Sequence, residues 1–328
     1  MVMPATFRIK PANHFIWNLP ELIDFLSQFR GQDIIITNGT EGCCAENIGL
    51  YRYLDKFDLG NVVIETSNVL ETHQTYCVSH VLPWKFLDIS QPVESEYHTW
   101  NLRSIFGTLY GRPLWHRIGI ASHLMVHHGD KSAVGFVADP NDIDSRSLFE
   151  IDQLWLADPR SLKNFTQCQS KFPLQIQDID PYSPGLTLSD GFISQTKRAY
   201  VNFFIDCVAE TFTSGNCFFI TEKTVRPMML KKPFIIFGPR DYLAYLRQMG
   251  FRTFADFWDE NYDGFSDRDR YLKILTLIDD LAKLDRSTLE SMYWDMQYSL
   301  DYNYNLLMEK KFQKQIVPYK IDKPSMKY

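Results

Sequence analysis

The sequence predicts an α/β protein with two parallel-sheet domains. Three observations carry this. Near the N-terminus, short apolar, strand-like runs alternate with helical patterns. Further on, residues 199–238 place two strand-like apolar runs on either side of a charged turn. At 328 residues the chain is long enough for two ordinary domains, and its 45% apolar and 15% aromatic content can fill two cores.

In the N-terminal part, residues 19–29 read as a short amphipathic helix, 33–37 as an apolar strand, 46–57 as a helix and 62–65 as a second strand. Strand, helix and strand make a parallel unit, because parallel neighbours need a long crossover and a helix supplies it. Between the first strand and its helix lies NGTEGCCAENIG, whose Gly39 and Gly42 make a loop at the carboxyl end of a strand, where open α/β sheets bind ligands. The loop fits neither GxGxxG nor GxxxxGKS, and its acidic residues would repel phosphate, so an acceptor-side role suits it better. Glu41 and Glu65, each following an apolar strand, are the candidate general bases, with His73 behind them. The alternative for each is a solvated loop residue. Residues 86–100, with Pro92, read as a linker, which sets a first domain at 1–98 and a second at 99–285.

In the second domain, YGRPLWHRIGIASHLMVHH (residues 110–128) reads as a turn and an amphipathic helix, with Leu114, Ile118, Ala121 and Met125 near helical spacing and a strand at 133–136. His116, His123, His127 and His128 suggest a metal, but no Cys or carboxylate stands at ligand spacing, which favours an ordinary helix face. Residues 158–191, rich in Pro, Ser, Asp and Gln, read as an irregular insertion beside the site. Then AYVNFFIDCVAE and the run 233–237, closed by Gly238, suit buried strands.

The turn between them holds the chemistry. Thr221 is a candidate helix N-cap with Glu222 in the first turn, and Met228, Met229 and Leu230 form a buried face. Pro227 either kinks this helix or starts it later. Free backbone N–H groups, the positive end of a helix and the cations Lys223 and Arg226 favour a phosphate. Glu222 suits paired sugar hydroxyls instead, so the combination points to a nucleotide ribose beside a diphosphate. The alternative is a surface capping group with an ion pair. Residues 242–249 and 271–284 read as helices. Between them, FRTFADFWDENYDGFSDRDR suits a sugar-contacting loop or a packed turn equally, and a last helix over 287–312 carries Tyr293, Trp294, Tyr298, Tyr302 and Tyr304.

With Glu210 upstream, FFITEKTVRPMMLKKPFIIFG resembles the donor-binding signature of glycosyltransferase family 10, the α-1,3-fucosyltransferase-like enzymes. Phe219, Thr221, Glu222, Lys223, Pro233 and Gly238 fill that family's pattern of an aromatic, a Thr-Glu-Lys triplet, a helix and a Pro-containing strand ending in Gly. The resemblance implies the GT-B fold: two Rossmann-like domains facing a central cleft, with the C-terminal segment 286–328 returning to the first. It also implies inverting transfer of a sugar from a nucleotide diphosphate sugar, GDP-fucose first, to an acceptor hydroxyl, with no cofactor and no catalytic metal. Glu222 would hold the ribose or donor sugar and Lys223 would neutralise the diphosphate, with Glu210, Thr221 and Arg226 in the same donor site. Residues 110–128 resemble the opening of the GT-B donor domain, where an Arg-bearing helix faces the diphosphate, which makes Arg117 the second cation and Arg112 its reserve. Thr211 stands where the family usually has Asn, and Phe219 lacks the hydroxyl of its usual Tyr, so the donor sugar stays open. The rival is a non-catalytic nucleotide-sugar or glycan-binding module of the same fold.

A net charge of -6 and a pI near 5.8 give no global attraction to nucleic acid or anionic membrane. A glycan or other hydroxyl acceptor is therefore favoured over a hydroxylated nucleobase in DNA. No apolar run is long enough to span a bilayer, and Arg8, Lys10 and His14 interrupt any leader-like start, which predicts a soluble, cytoplasmic protein. Six cysteines, including adjacent Cys43 and Cys44, make no disulfide framework and are expected reduced and mostly buried.

Overall fold

The computed structural model describes residues 3–11, 15–38, 42–81, 100, 103–137, 139, 145–174 and 199–309. Two four-stranded sheets, each all-parallel, organise them.

The first sheet has the order β1 (Ala5–Arg8), β2 (Ile34–Thr37), β3 (Val62–Thr66), β4 (Cys77–His80). Its first three strands alternate more and less buried positions, and Ile36 of β2 pairs in register with Ile64 of β3. On the buried face sit Leu22 and Leu26 of helix α1 (Leu19–Gln28), the α-helical periodicity meeting the two-residue period of the strands. The expected helix over 46–57 is shorter, α2 (Leu50–Leu54). Residues 45–49 form turns instead, for two reasons: Gly49 adopts a left-handed φ of 71°, and the Ala45 amide donates to the Glu71 carboxylate at 2.9 Å.

The second sheet has the order β6 (Ser132–Phe136), β5 (Ser104–Tyr110), β7 (Phe203–Ala209), β8 (Phe234–Phe237). Every residue of β7 is buried, as expected for a central parallel strand covered on both faces. Around the sheet lie α3 (Trp115–His127), α4 (Ser145–Ala157), α5 (Pro159–Cys168), α6 (Glu222–Met229), α7 (Tyr242–Gln248), α8 (Asp267–Leu281) and α9 (Arg286–Met308). Residues 159–168, expected to be irregular, are α5. The Asp158 carboxylate caps it by accepting from the Arg160 amide, Pro159 takes the first turn, and Phe165 and Cys168 are buried. The rest of that expected insertion, 175–191, and the linker up to residue 99 lie largely outside the described residues; Trp100 packs on Phe204 and Tyr293.

The resemblance has the segment 286–328 return to the first domain; residues 310–328 lie outside the described residues, and only α9 can be followed. The buried residues Leu289, Tyr293, Met296 and Leu300 of α9 belong to the core of the second sheet. The reason is specific pairing along that side: Asn303 exchanges hydrogen bonds with the backbone of Arg252, and Lys231 pairs with Asp301 at 2.8 Å. Of its aromatic residues only Tyr293 is buried, while Trp294, Tyr298 and Tyr302 are exposed. All six cysteines are free thiols. Among the described residues no helix is long and apolar enough to cross a membrane.

Candidate functional site

In the second sheet the succession of strands reverses direction between β5 and β7, since β5 leads outward to β6 and β7 leads the other way to β8. Open parallel sheets bind ligands beyond the carboxyl ends of the strands at such a reversal. The loop leaving β7 there, residues 210–221, crosses to the first sheet: Phe212 and Cys217 are buried in the first core. Asn68, just past β3, fastens it. Its side chain accepts from the Phe218 amide at 2.9 Å and donates to the Asn216 carbonyl at 2.9 Å. The Cys217 thiol donates to the Gly42 carbonyl at 2.6 Å, and a Cβ on Gly42 would overlap the Asn68 backbone. Glu71 completes this seam by accepting from Ala45, Asn68 and the Tyr51 hydroxyl.

Along the seam lies a small cleft walled by Gly42, Glu210, Thr211, Phe219, Thr221 and Pro239, about 10 Å³ inside an open mouth. An interior of about 10 Å³ holds about one water, so a ligand here lies over the mouth of the cleft rather than inside it.

Glu210 lines the cleft and is 2% exposed. One carboxylate oxygen accepts from Thr221 at 2.7 Å, and the other from Thr224 at 2.6 Å and Tyr242 at 3.2 Å. Thr221 also caps α6, accepting from the Lys223 amide, so Glu210 holds the start of that helix in place. His116 bonds the Glu210 carbonyl at 2.8 Å, and burial, then the charge of Arg117, push its pKa well below the ordinary histidine value, leaving a neutral imidazole that donates. Arg117 is buried as well. Its guanidinium donates to the Ala209 carbonyl and the Thr211 hydroxyl, so it braces the end of β7 from behind rather than facing a diphosphate across open space.

Glu222 and Lys223 are the residues of the expected donor set that reach solvent at the start of α6. Their side chains are 22% and 13% exposed and pair at 2.8 Å. Burial raises the Glu222 pKa, but Lys223, and more weakly Arg226, overcome it and hold the carboxyl below its usual range. Arg226 faces inward. Burial opposes its charge, yet Tyr200, Asp206, Glu222 and Glu210 around it keep its pKa above the ordinary arginine value. Asp206 beneath it is pushed up to about 6 by burial, against the pull of Arg226 and a short bond from Tyr200.

The acceptor side is less complete. Glu41 lies outside the described residues. Glu65 does not follow its strand but sits inside β3, half-buried, on the face opposite Ile64 and Thr66. His73 is stacked on Tyr51 and Tyr76, its Nδ1 accepting from two backbone amides. Arg112 is exposed ahead of α3.

Of the residues that build the site, Thr224, Tyr242 and Asn68 escaped the sequence, and His116 was named there only for a metal. Each meets its partner across the fold, and only Thr224, within one helical turn of the capping Thr221, had a local signal. No protein-family model matches this chain, and no curated protein does. Among solved structures the chain is similar to the N-terminal domain of trehalose-6-phosphate phosphatase from Candida albicans, with 8% identity and a TM-score of 0.35 over 91% of this chain and 69% of that one. A likeness at that level carries no functional argument.

Proposed function

We propose that the chain is a glycosyltransferase of the GT-B kind, moving a sugar from a nucleotide diphosphate donor to an acceptor hydroxyl. The observation that supports it most is the part-exposed Glu222–Lys223 pair at the N-terminus of α6, beside a cleft at the strand reversal of a parallel sheet. Lys223 and the first amides of α6 meet a diphosphate, and Glu222 accepts from ribose hydroxyls. Glu210, Thr221, Arg117 and Arg226 position those groups from within. In the transfer, the acceptor oxygen bonds to the anomeric carbon as the bond to the diphosphate breaks. The electron pair leaves with the diphosphate, where Lys223 and the helix end stabilise it, and the acceptor proton passes to a carboxylate of the first domain, Glu41 or Glu65. The family resemblance makes GDP-fucose the first donor and inversion the expected outcome, without a metal in the reaction.

One observation favours the second reading, a nucleotide-sugar-binding module without turnover: neither Glu65 nor His73 lines the cleft. A thermal-shift screen against nucleoside diphosphates and their sugars, followed by measurement of nucleoside diphosphate release, separates the two. Selective stabilisation with release identifies the enzyme, stabilisation without release with any acceptor identifies the binder, and stabilisation by none of the set ends both.

A further inference from the structure

At the far end of α3 the chain gathers a second set of functional groups. One carboxylate oxygen of Asp279, on α8, lies 2.8 Å from Nε2 of His123 and 2.7 Å from Nε2 of His128. These three atoms all fall within 4.8 Å of one another. On an unbroken helix residues five apart would point about 140° away from each other. They converge because α3 stops at His127: His128 has φ -138° and ψ 32°, and this turns its ring back to the carboxylate that His123 meets. The imidazoles are enclosed, 9% and 14% exposed, while the carboxylate, at 42%, leaves a way in from solvent.

We propose that His123, His128 and Asp279 form a binding site for a divalent transition ion of the zinc class. Two imidazole nitrogens and one carboxylate oxygen suit such borderline ions, whereas magnesium and calcium prefer oxygen ligands throughout. Metal–ligand distances of roughly 2.0–2.2 Å place tetrahedral ligand atoms about 3.3 Å apart, so the two short contacts widen by roughly half an ångström as the ion replaces the hydrogen bonds. The part-exposed Asp279 side chain can make that movement. His127, exposed one turn after His123 with ring centroids 4.8 Å apart, lies beside the three converging ligand atoms without being one of them. A cation here also faces the negative C-terminal end of α3. His123 lies about 9 Å, and the end of α3 about 15 Å, along the helix from Arg117, at 1.5 Å per residue, so the ion clamps α3 to α8 and takes no part in the chemistry of the cleft. Lys131, which donates to the Ala282 carbonyl at 2.8 Å, already ties the same two ends together.

The test is calorimetric titration of the chelator-stripped full chain with zinc(II), beside His128→Gln and Asp279→Asn, each checked for native secondary structure by circular dichroism. One equivalent should bind, and each variant should lose affinity by about 100-fold or more, at least what second-shell changes cost. Absence of stoichiometric binding, or equal affinity in both folded variants, overturns the proposal. Copper(II) loading of the unaltered chain needs no variant: paramagnetic resonance should show coupling to imidazole nitrogens, and a bound ion without it would overturn the assignment.

Discussion

The three hydroxyls around Glu210 decide what that residue does. With Thr221, Thr224 and Tyr242 donating to it, the carboxylate is committed to the protein, and its contribution to a ligand is the fixed position of α6. Lys223 and Glu222 were legible because their signal is local: a cap, a first-turn acid and a cation in sequence. The resemblance places Arg117, and the helix start places Arg226, as cations facing a ligand; what turns both inward is a carbonyl or an acid supplied from elsewhere in the fold, Ala209 for one and Asp206 for the other. The buried Asp206 gives a prediction at this scale. Its native pKa of about 6 lies above the 3.8 of an unperturbed aspartate, so the native state holds the proton more tightly than the unfolded chain. Its stabilising contribution is complete below about pH 3.8 and is lost as pH rises through about 6, by roughly 3 kcal/mol. Asp206→Asn removes this slope. In urea unfolding across that window, the stability of the variant relative to the parent should climb with pH and then level; a constant difference would show that Asp206 titrates normally.

Among the elements, the loop 210–221 joins one sheet to the core of the other, and Asn68 holds it. Asn68→Ala removes acceptors from the Phe218 and Leu70 amides and a donor from the Asn216 carbonyl, all inside the seam. The cost should be about 3 kcal/mol or more, with faster hydrogen exchange at Phe218. A loss under about 1 kcal/mol, or unchanged exchange at that amide, would mean the loop is held by Phe212 and Cys217 alone. Strands β7 and β8 were legible from apolar runs bounded by breakers, and α6 from its cap. Helix α5 was hidden by polar composition although Asp158–Pro159 marks its start, which shows that a cap followed by proline outweighs a count of polar residues. The seam itself left no trace in the sequence, because Asn68 and Phe218 meet 150 residues apart.

For the whole molecule, two parallel sheets were legible from the alternation of strands and helices, and strand order was not. The order β6-β5-β7-β8 depends on which edge of β5 the chain returns to after α4 and α5, and no local pattern records that choice. Yet this order puts the strand reversal at residues 209–211 and gives the Glu222–Lys223 pair a cleft beside it. Histidines at the end of α3 and a carboxylate on α8 likewise come together only through the fold, where sequence spacing argues against a metal. The central claim is that a nucleotide diphosphate sugar binds at the start of α6. It is tested most directly by calorimetric titration of the full chain with the nucleotide sugar that stabilises it best, beside Glu222→Ala and Lys223→Ala. Each variant should bind about 10- to 150-fold more weakly, the 1.5–3 kcal/mol of one hydrogen bond to a charged group, while remaining folded under the titration conditions. Parental affinity in both folded variants would contradict the account.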